Sequence, residues 1–145
     1  MFKRILLPID GSDLSLRAAK LGVELAQTCS ARVHALHVVP SYQTITYVTD
    51  MLSTTEAIYT DDAVTRAEDY LQKVRNLAEN AGVKYSDGYV IAEQPFEVIL
   101  QTAGEQHSDL IVMGSHGRRG LTRLLLGSET QKVLLRSDVP VMVCH

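Results

Sequence analysis

Short apolar runs alternate along this chain with segments whose apolar residues recur at helical spacing, a pattern that few folds accept. Ile5, Leu6, Leu7 and Ile9 make Lys3 to Ile9 a near-continuous apolar run, as a strand covered on both faces requires. Asp10-Gly11-Ser12-Asp13 breaks it, and Leu14, Ala18, Leu21 and Leu25 then share one face of a helix starting near Ser12. Ala31 to Val39 reads as a second strand, stopped by Pro40. Ala67, Tyr70, Leu71, Val74, Leu77, Ala78 and Ala81 form the stripe of a second helix, closed by Gly82. Val83 to Ile91 is a weaker strand with Ser86, Asp87 and Gly88 inside it, which places it at a sheet edge. Pro95 suits a helix first turn, and Phe96, Ile99, Leu100 and Ala103 carry that helix to about His107. Asp109 to Met113 is a buried strand running into Gly114; a helix from about Ser128 to Arg136 and a strand from Val139 to Cys144 complete the chain. Right-handed crossovers between parallel strands then give an α/β, doubly wound, flavodoxin-like or Rossmann-like sheet. It has five parallel strands in the order 3-2-1-4-5, with helices on both faces.

One stretch breaks the alternation. From Ser41 to Thr60 neither period holds, and eleven of the twenty residues are Ser, Thr or Tyr, so it reads as a flexible or functional loop or a disordered lead-in to the next helix. The remainder is consistent with one domain over residues 1–145. A net charge of −3 argues against a generic nucleic-acid partner, and no apolar run reaches the ~18 residues of a membrane span. The opening residues meet Asp10 too soon for a signal peptide, so the expectation is a cytoplasmic protein. Cys29 and Cys144 lack any metal-ligand spacing and read as two buried, reduced thiols.

In a doubly wound sheet, ligands bind beyond the carboxyl ends of the strands, where successive connections diverge. For this strand order that point lies between strands one and four. Asp10-Gly11-Ser12-Asp13 meets Gly114-Ser115-His116-Gly117 there. Glycines let backbone N–H groups approach a ligand closely, and Gly127-Ser128 opens a helix whose amides favour an anion. Arg118, Arg119 and Arg123 put a local +3 in the same segment of a chain of net −3, which suits phosphate. The spacing G-x2-G-x9-G-S is neither the P-loop nor the dinucleotide fingerprint, and Ser115-His116 fits no nucleophile elbow. Blander roles stand beside these. Asp10 serves equally as helix cap or ligand group, the arginines as a solvated loop face, Gly114 and Gly117 as a tight turn, and His116 as a solvent-facing residue. His34 and His37, three apart on a strand, point to opposite faces and make no metal pair, so no metal site is expected.

Asp109-Leu110-Ile111-Val112-Met113-Gly114-Ser115-His116-Gly117, then Gly127-Ser128 and Val139-Pro140-Val141, closely resembles the universal stress protein family. Ile5-Leu6-Leu7-Pro8-Ile9-Asp10-Gly11-Ser12 resembles that family's first strand and loop. The resemblance implies a flavodoxin-like fold and, in the branch that keeps the three spaced glycines and the serine, ATP binding with Mg²⁺ expected from phosphate charge. Carried onto this sequence, Asp10 faces the ribose or adenine, with Pro8 and Ile9 beside it, and Val38 offers backbone bonds to the adenine. Gly114, Gly117, Gly127 and Ser128 hold the phosphates, with Met113, Ser115, His116, Arg118, Glu129 and Thr130 as neighbours. It also implies a homodimer through the final strand, which the strand order leaves apolar and unpaired at an edge.

The leading expectation is therefore an ATP-binding regulatory or stress-response module acting through nucleotide-dependent association. Its rival is a slow ATP hydrolase or an enzyme transferring a phosphate or adenylyl group, for which the chain shows no Walker lysine and no assigned nucleophile. A flavodoxin-like electron carrier shares the topology alone, and the chain has no Trp to flank a flavin.

Overall fold

A computed structural model describes residues 1–43, 45, 56–117 and 125–145. The elements run β1 (Arg4–Ile9), α1 (Asp13–Cys29), β2 (Arg32–Pro40), α2 (Glu56–Asn80), β3 (Lys84–Ala92), α3 (Pro95–Glu105), β4 (Leu110–Gly114), α4 (Ser128–Arg136) and β5 (Val141–Cys144). The five strands form one parallel sheet in the order β3-β2-β1-β4-β5, the doubly wound arrangement expected from the sequence.

The apolar run of β1 is explained by its central place. Ile5, Leu7 and Ile9 join Ala19, Val23 and Ala26 of α1 and Tyr70, Leu71 and Val74 of α2 in one core layer. Leu6 points the other way, to Phe96, Ile99 and Ala103 of α3 and Val133 of α4. Successive side chains of a strand alternate faces, so a strand covered by helices on both sides is apolar throughout. Leu6 and Leu7 are fully buried, each worth roughly 1.5–3 kcal/mol relative to exposure. A polar side chain at either position would forfeit that burial and leave a polar group inside a layer of alkyl carbons.

Several boundaries differ from the sequence expectation for local reasons. Ala31 belongs to the end of α1, because Ser30 adopts a left-handed conformation (φ 54°) and the Ala31 N–H returns to the Ala26 carbonyl at 2.8 Å. Val83 likewise closes α2, its N–H bonding the Ala78 carbonyl at 2.9 Å. Val139 is held outside β5 by Ser137, whose hydroxyl accepts from the Val139 N–H and donates to its carbonyl. The largest difference is at the end of the polar stretch. Residues 56–60 are already helical, and Tyr59 is buried in a small cluster with Val39, Ala63 and Ala67. The expectation of a loop from Ser41 to Thr60 fails there and again at residues 42, 43 and 45, which are helical, with the Ile45 N–H bonding the Ser41 carbonyl at 3.3 Å; over residues 44 and 46–55 it lies outside the described residues. Cys29 and Cys144, expected to be buried, are only partly so.

Candidate functional site

β1 and β2 do not end together. Ile9 pairs with His37, the last residue of β1, whereas β2 continues through Val38↔Val90, Val39↔Ile91 and Pro40↔Ala92 with β3 alone. From Val38 onward one edge of β2 faces open space where a strand would otherwise lie. That space is the floor of a crevice of about 620 Å³, within the usual range for small-molecule sites.

The chain leaves β1 through a tightly bonded turn. The Asp10 carboxylate accepts from the Ser12 N–H at 2.9 Å, the Ser12 hydroxyl accepts from the Ser15 N–H at 3.1 Å, and Ser12 is the N-cap of α1. Asp10 is thus not the helix cap. Its second carboxylate oxygen lies against Gly117, where a Cβ would sit 2.5 Å from it. Gly11 takes φ +80°, and the Tyr70 ring occupies the place of any side chain there, so only glycine joins these two constraints. Tyr70 is itself positioned edge-on to the His37 ring, with centroids 5.3 Å apart, and the His37 Nδ1–H donates to the Ile9 carbonyl at 2.8 Å.

On the other side the loop after β4 folds back on itself. The Ser115 N–H donates to the Cys144 carbonyl at 2.8 Å, and the Gly127 N–H donates to the Ser115 carbonyl at 2.7 Å, which brings the start of α4 beside the end of β4. Thr130 fastens the same corner, its hydroxyl donating to the Gly114 carbonyl at 3.0 Å. A Cβ on Gly127 would meet the His116 Cα at 3.0 Å, so this approach too depends on glycine. Gly127 is the N-cap of α4, and among the described residues no side-chain hydrogen bond caps the helix. The first-turn amides of α4 therefore face the crevice without a side-chain acceptor, the arrangement that favours an anion.

Of the residues singled out from the sequence, Pro8, Ile9, Asp10, Val38, Met113, Gly114, His116, Gly117, Gly127, Ser128, Glu129 and Thr130 all line this one crevice. Ser115 does not: it is buried, and its backbone holds the corner from behind. The Glu129 carboxylate is committed to the Phe96 N–H at 2.8 Å and to Lys132 at 3.2 Å, so it caps the first turn of α3. Arg118, Arg119 and Arg123 lie outside the described residues.

Sequence reasoning missed the opposite wall. Tyr59, Ala63, Arg66 and Tyr70 line the crevice from α2, and their 4-3-4 spacing puts them on one helical stripe. Pro95 and Ile99 of α3, with Glu93 before them, line it from the other layer. Tyr59 also donates its hydroxyl to the Pro40 carbonyl at 2.9 Å, fixing α2 to the end of β2. The 4-3-4 spacing was the available signal; it runs back into the Ser, Thr and Tyr-rich stretch, where the polar composition hides it.

His34, three residues from His37 on β2, stands apart from the crevice. Its Nδ1 contacts the Ser86 hydroxyl at 2.8 Å, and burial lowers its pKa, with the Asp87 carboxylate opposing part of that shift.

Comparison with known proteins gives a consistent answer. The family model described as the universal stress protein family matches residues 1–145. Universal stress protein MJ0531 of Methanocaldococcus jannaschii is 34% identical, over 99% of this chain and 82% of its own length. A universal stress protein of Thermus aquaticus, encoded in a QAH/OAS sulfhydrylase 3′ region, is 37% identical over 99% of this chain and 98% of its own. Among solved structures, that of the M. jannaschii protein MJ0577 superimposes with a TM-score of 0.83 at 29% identity, covering 99% of this chain and 96% of that one. A universal stress protein in complex with cAMP shares the fold, with a TM-score of 0.74 at 23% identity over 99% of this chain and 97% of that one.

Proposed function

The chain belongs to the universal stress protein family, and on that premise we propose that it is an ATP-binding regulatory module, cytoplasmic and homodimeric, whose nucleotide-bound state alters its association with partner proteins. One observation carries this reading. The uncapped N-terminus of α4 faces a crevice in which Gly117 and Gly127 leave the space that a Cβ would fill. Phosphate oxygens suit those amides, and the residues fit the group: Gly114, Gly117, Gly127 and Ser128 hold phosphates, Asp10 faces the ribose, and the open edge of β2 at Val38 meets the adenine. ATP would bring its own divalent ion, Mg²⁺, with the phosphate charge. The adenine nucleotide seen in the solved complex with cAMP is a precedent for the ligand class in this fold.

Binding ranks ahead of turnover on the state of the side chains. Asp10 and Glu129 already accept backbone N–H bonds, and the Ser115 hydroxyl, 3.1 Å from the His116 Nδ1, lies behind the crevice lining. That leaves no assembled nucleophile and base among the described residues. Thermal unfolding tests the reading. ATP with Mg²⁺ at about 100 times its dissociation constant adds ~2.7 kcal/mol, which for a chain of this size raises the midpoint by roughly 5–10 °C. A midpoint unmoved by ATP but raised by another nucleotide would remove the adenine assignment; one unmoved by every nucleotide would remove the function.

The dimer is proposed through β5, which ends the strand order with all four residues only half-buried. Pairing about a two-fold axis satisfies that edge symmetrically. Sedimentation should show a dimer at micromolar concentration, with Val143→Lys shifting it to monomer. A wild-type monomer at all concentrations would end the proposal.

A further inference from the structure

Arg66 breaks the composition of its surroundings. It lies in the middle of the α2 stripe that faces the crevice, between Ala63 and Tyr70, both buried, yet it carries a charge and is itself exposed to the open space. It makes no hydrogen bond or ion pair with any described residue. A solvated guanidinium at the rim of the crevice, bonded to no described residue, is available to a ligand that enters it.

The layering of the fold says what it meets. A planar base that hydrogen-bonds the open edge of β2 at Val38 lies roughly in the plane of the sheet, because those bonds are made in the plane of both partners. Its two faces then point at the two helix layers. Pro95 and Ile99 of α3 lie on one side, and the α2 stripe with Arg66 on the other. Adjacent strands are about 4.8 Å apart, so β2 stands roughly 10 Å from β4 and the phosphate corner, about the length of a nucleoside from base to phosphate. We infer that Arg66 is a base-binding residue at the base end of the crevice, its guanidinium stacking on the face of the nucleobase opposite the apolar platform of Pro95 and Ile99. The inference rests on the nucleotide-binding reading and adds to it how the base is gripped. A guanidinium stacks on an aromatic face in a way that an ammonium does not.

Calorimetric titration of the full-length chain and of Arg66→Met and Arg66→Lys, with AMP, ATP and inorganic tripolyphosphate, tests it. Arg66→Met should weaken AMP and ATP by the same factor, roughly five- to thirty-fold, and leave tripolyphosphate unchanged. Arg66→Lys should restore only a minor part of the loss. Unliganded thermal midpoints of the variants should match the wild type, because the head group bonds to nothing else described. A loss that grows with phosphate number and is rescued by lysine would make Arg66 a phosphate-attracting charge and overturn the inference, as would unchanged AMP affinity in Arg66→Met. Failure of the unmodified chain to bind either nucleotide would instead overturn the nucleotide reading, and this role with it.

Discussion

The two walls of the crevice are built from different materials. The wall formed by β4 and α4 is backbone: Gly114, Gly117 and Gly127 present amides and empty space, and contacts run between main-chain atoms of Ser115, Gly127 and Cys144. The wall formed by α2 is side chain, a stripe of Tyr59, Ala63, Arg66 and Tyr70 laid on the end of β2. At Gly117 and Gly127 this wall has little room to adjust, since an added Cβ meets the Asp10 carboxylate or main chain. A side-chain wall adjusts by rotamer and tolerates exchange. The first is suited to a group that every ligand of the class shares, and the second to the part of the ligand that varies.

The comparison breaks most directly at Gly127 and Gly117. A Cβ at 127 would press on the His116 Cα and prise open the 2.7 Å bond to the Ser115 carbonyl, whereas one at 117 would displace the Asp10 carboxylate. Neither glycine is in either main core layer. Gly127→Val and Gly117→Val should therefore lower ATP affinity at least a hundredfold, about 2.7 kcal/mol, while circular dichroism stays that of a folded chain. Wild-type affinity in either variant would show that the backbone wall does not touch the ligand. The five- to thirty-fold effect expected at Arg66 is smaller by design of the wall it belongs to.

The same difference decided what the sequence could disclose. Glycines at fixed spacing after an apolar strand are visible because the missing side chain is itself the signal, and the alternation of apolar runs such as Ile5, Leu6 and Leu7 with helical stripes was enough for a parallel sheet covered on both faces. The α2 wall was hidden because Tyr59 and Ala63 look like any inward helical residues and sit at the end of a polar stretch. Only the fold shows that their stripe, packed on the end of β2, also walls a crevice. Pairwise roles were equally out of reach. Glu129 reads as part of the anion site from its position after Ser128, yet its carboxylate crosses to the Phe96 N–H, a contact between residues 33 apart. Asp10 reads equally as cap or ligand group from the sequence, and only the fold gives the capping bond to Ser12.

The smallest effect sharpens the comparison from outside both walls. His34 and His37 lie on the same strand, but His37 is in the crevice and His34 is not. Burial is the leading cause of the lowered His34 pKa, and the Asp87 charge, itself paired with Arg75 at 2.7 Å, only partly offsets it. A histidine whose folded pKa is depressed binds fewer protons when folded than when unfolded. Its neutral form contributes stability that is present above the unfolded value near 6.5 and lost as pH falls from there toward the lower folded value. Urea unfolding of the wild type should thus show stability declining as the pH is lowered from 7 to 5, and His34→Gln should flatten that slope. ATP affinity at pH 7 should be the same in both chains, since the substituted ring touches neither wall. An unchanged slope in His34→Gln would assign the acid sensitivity elsewhere. A changed ATP affinity would mean that the ligand site extends back along β2 to where His34 meets Ser86.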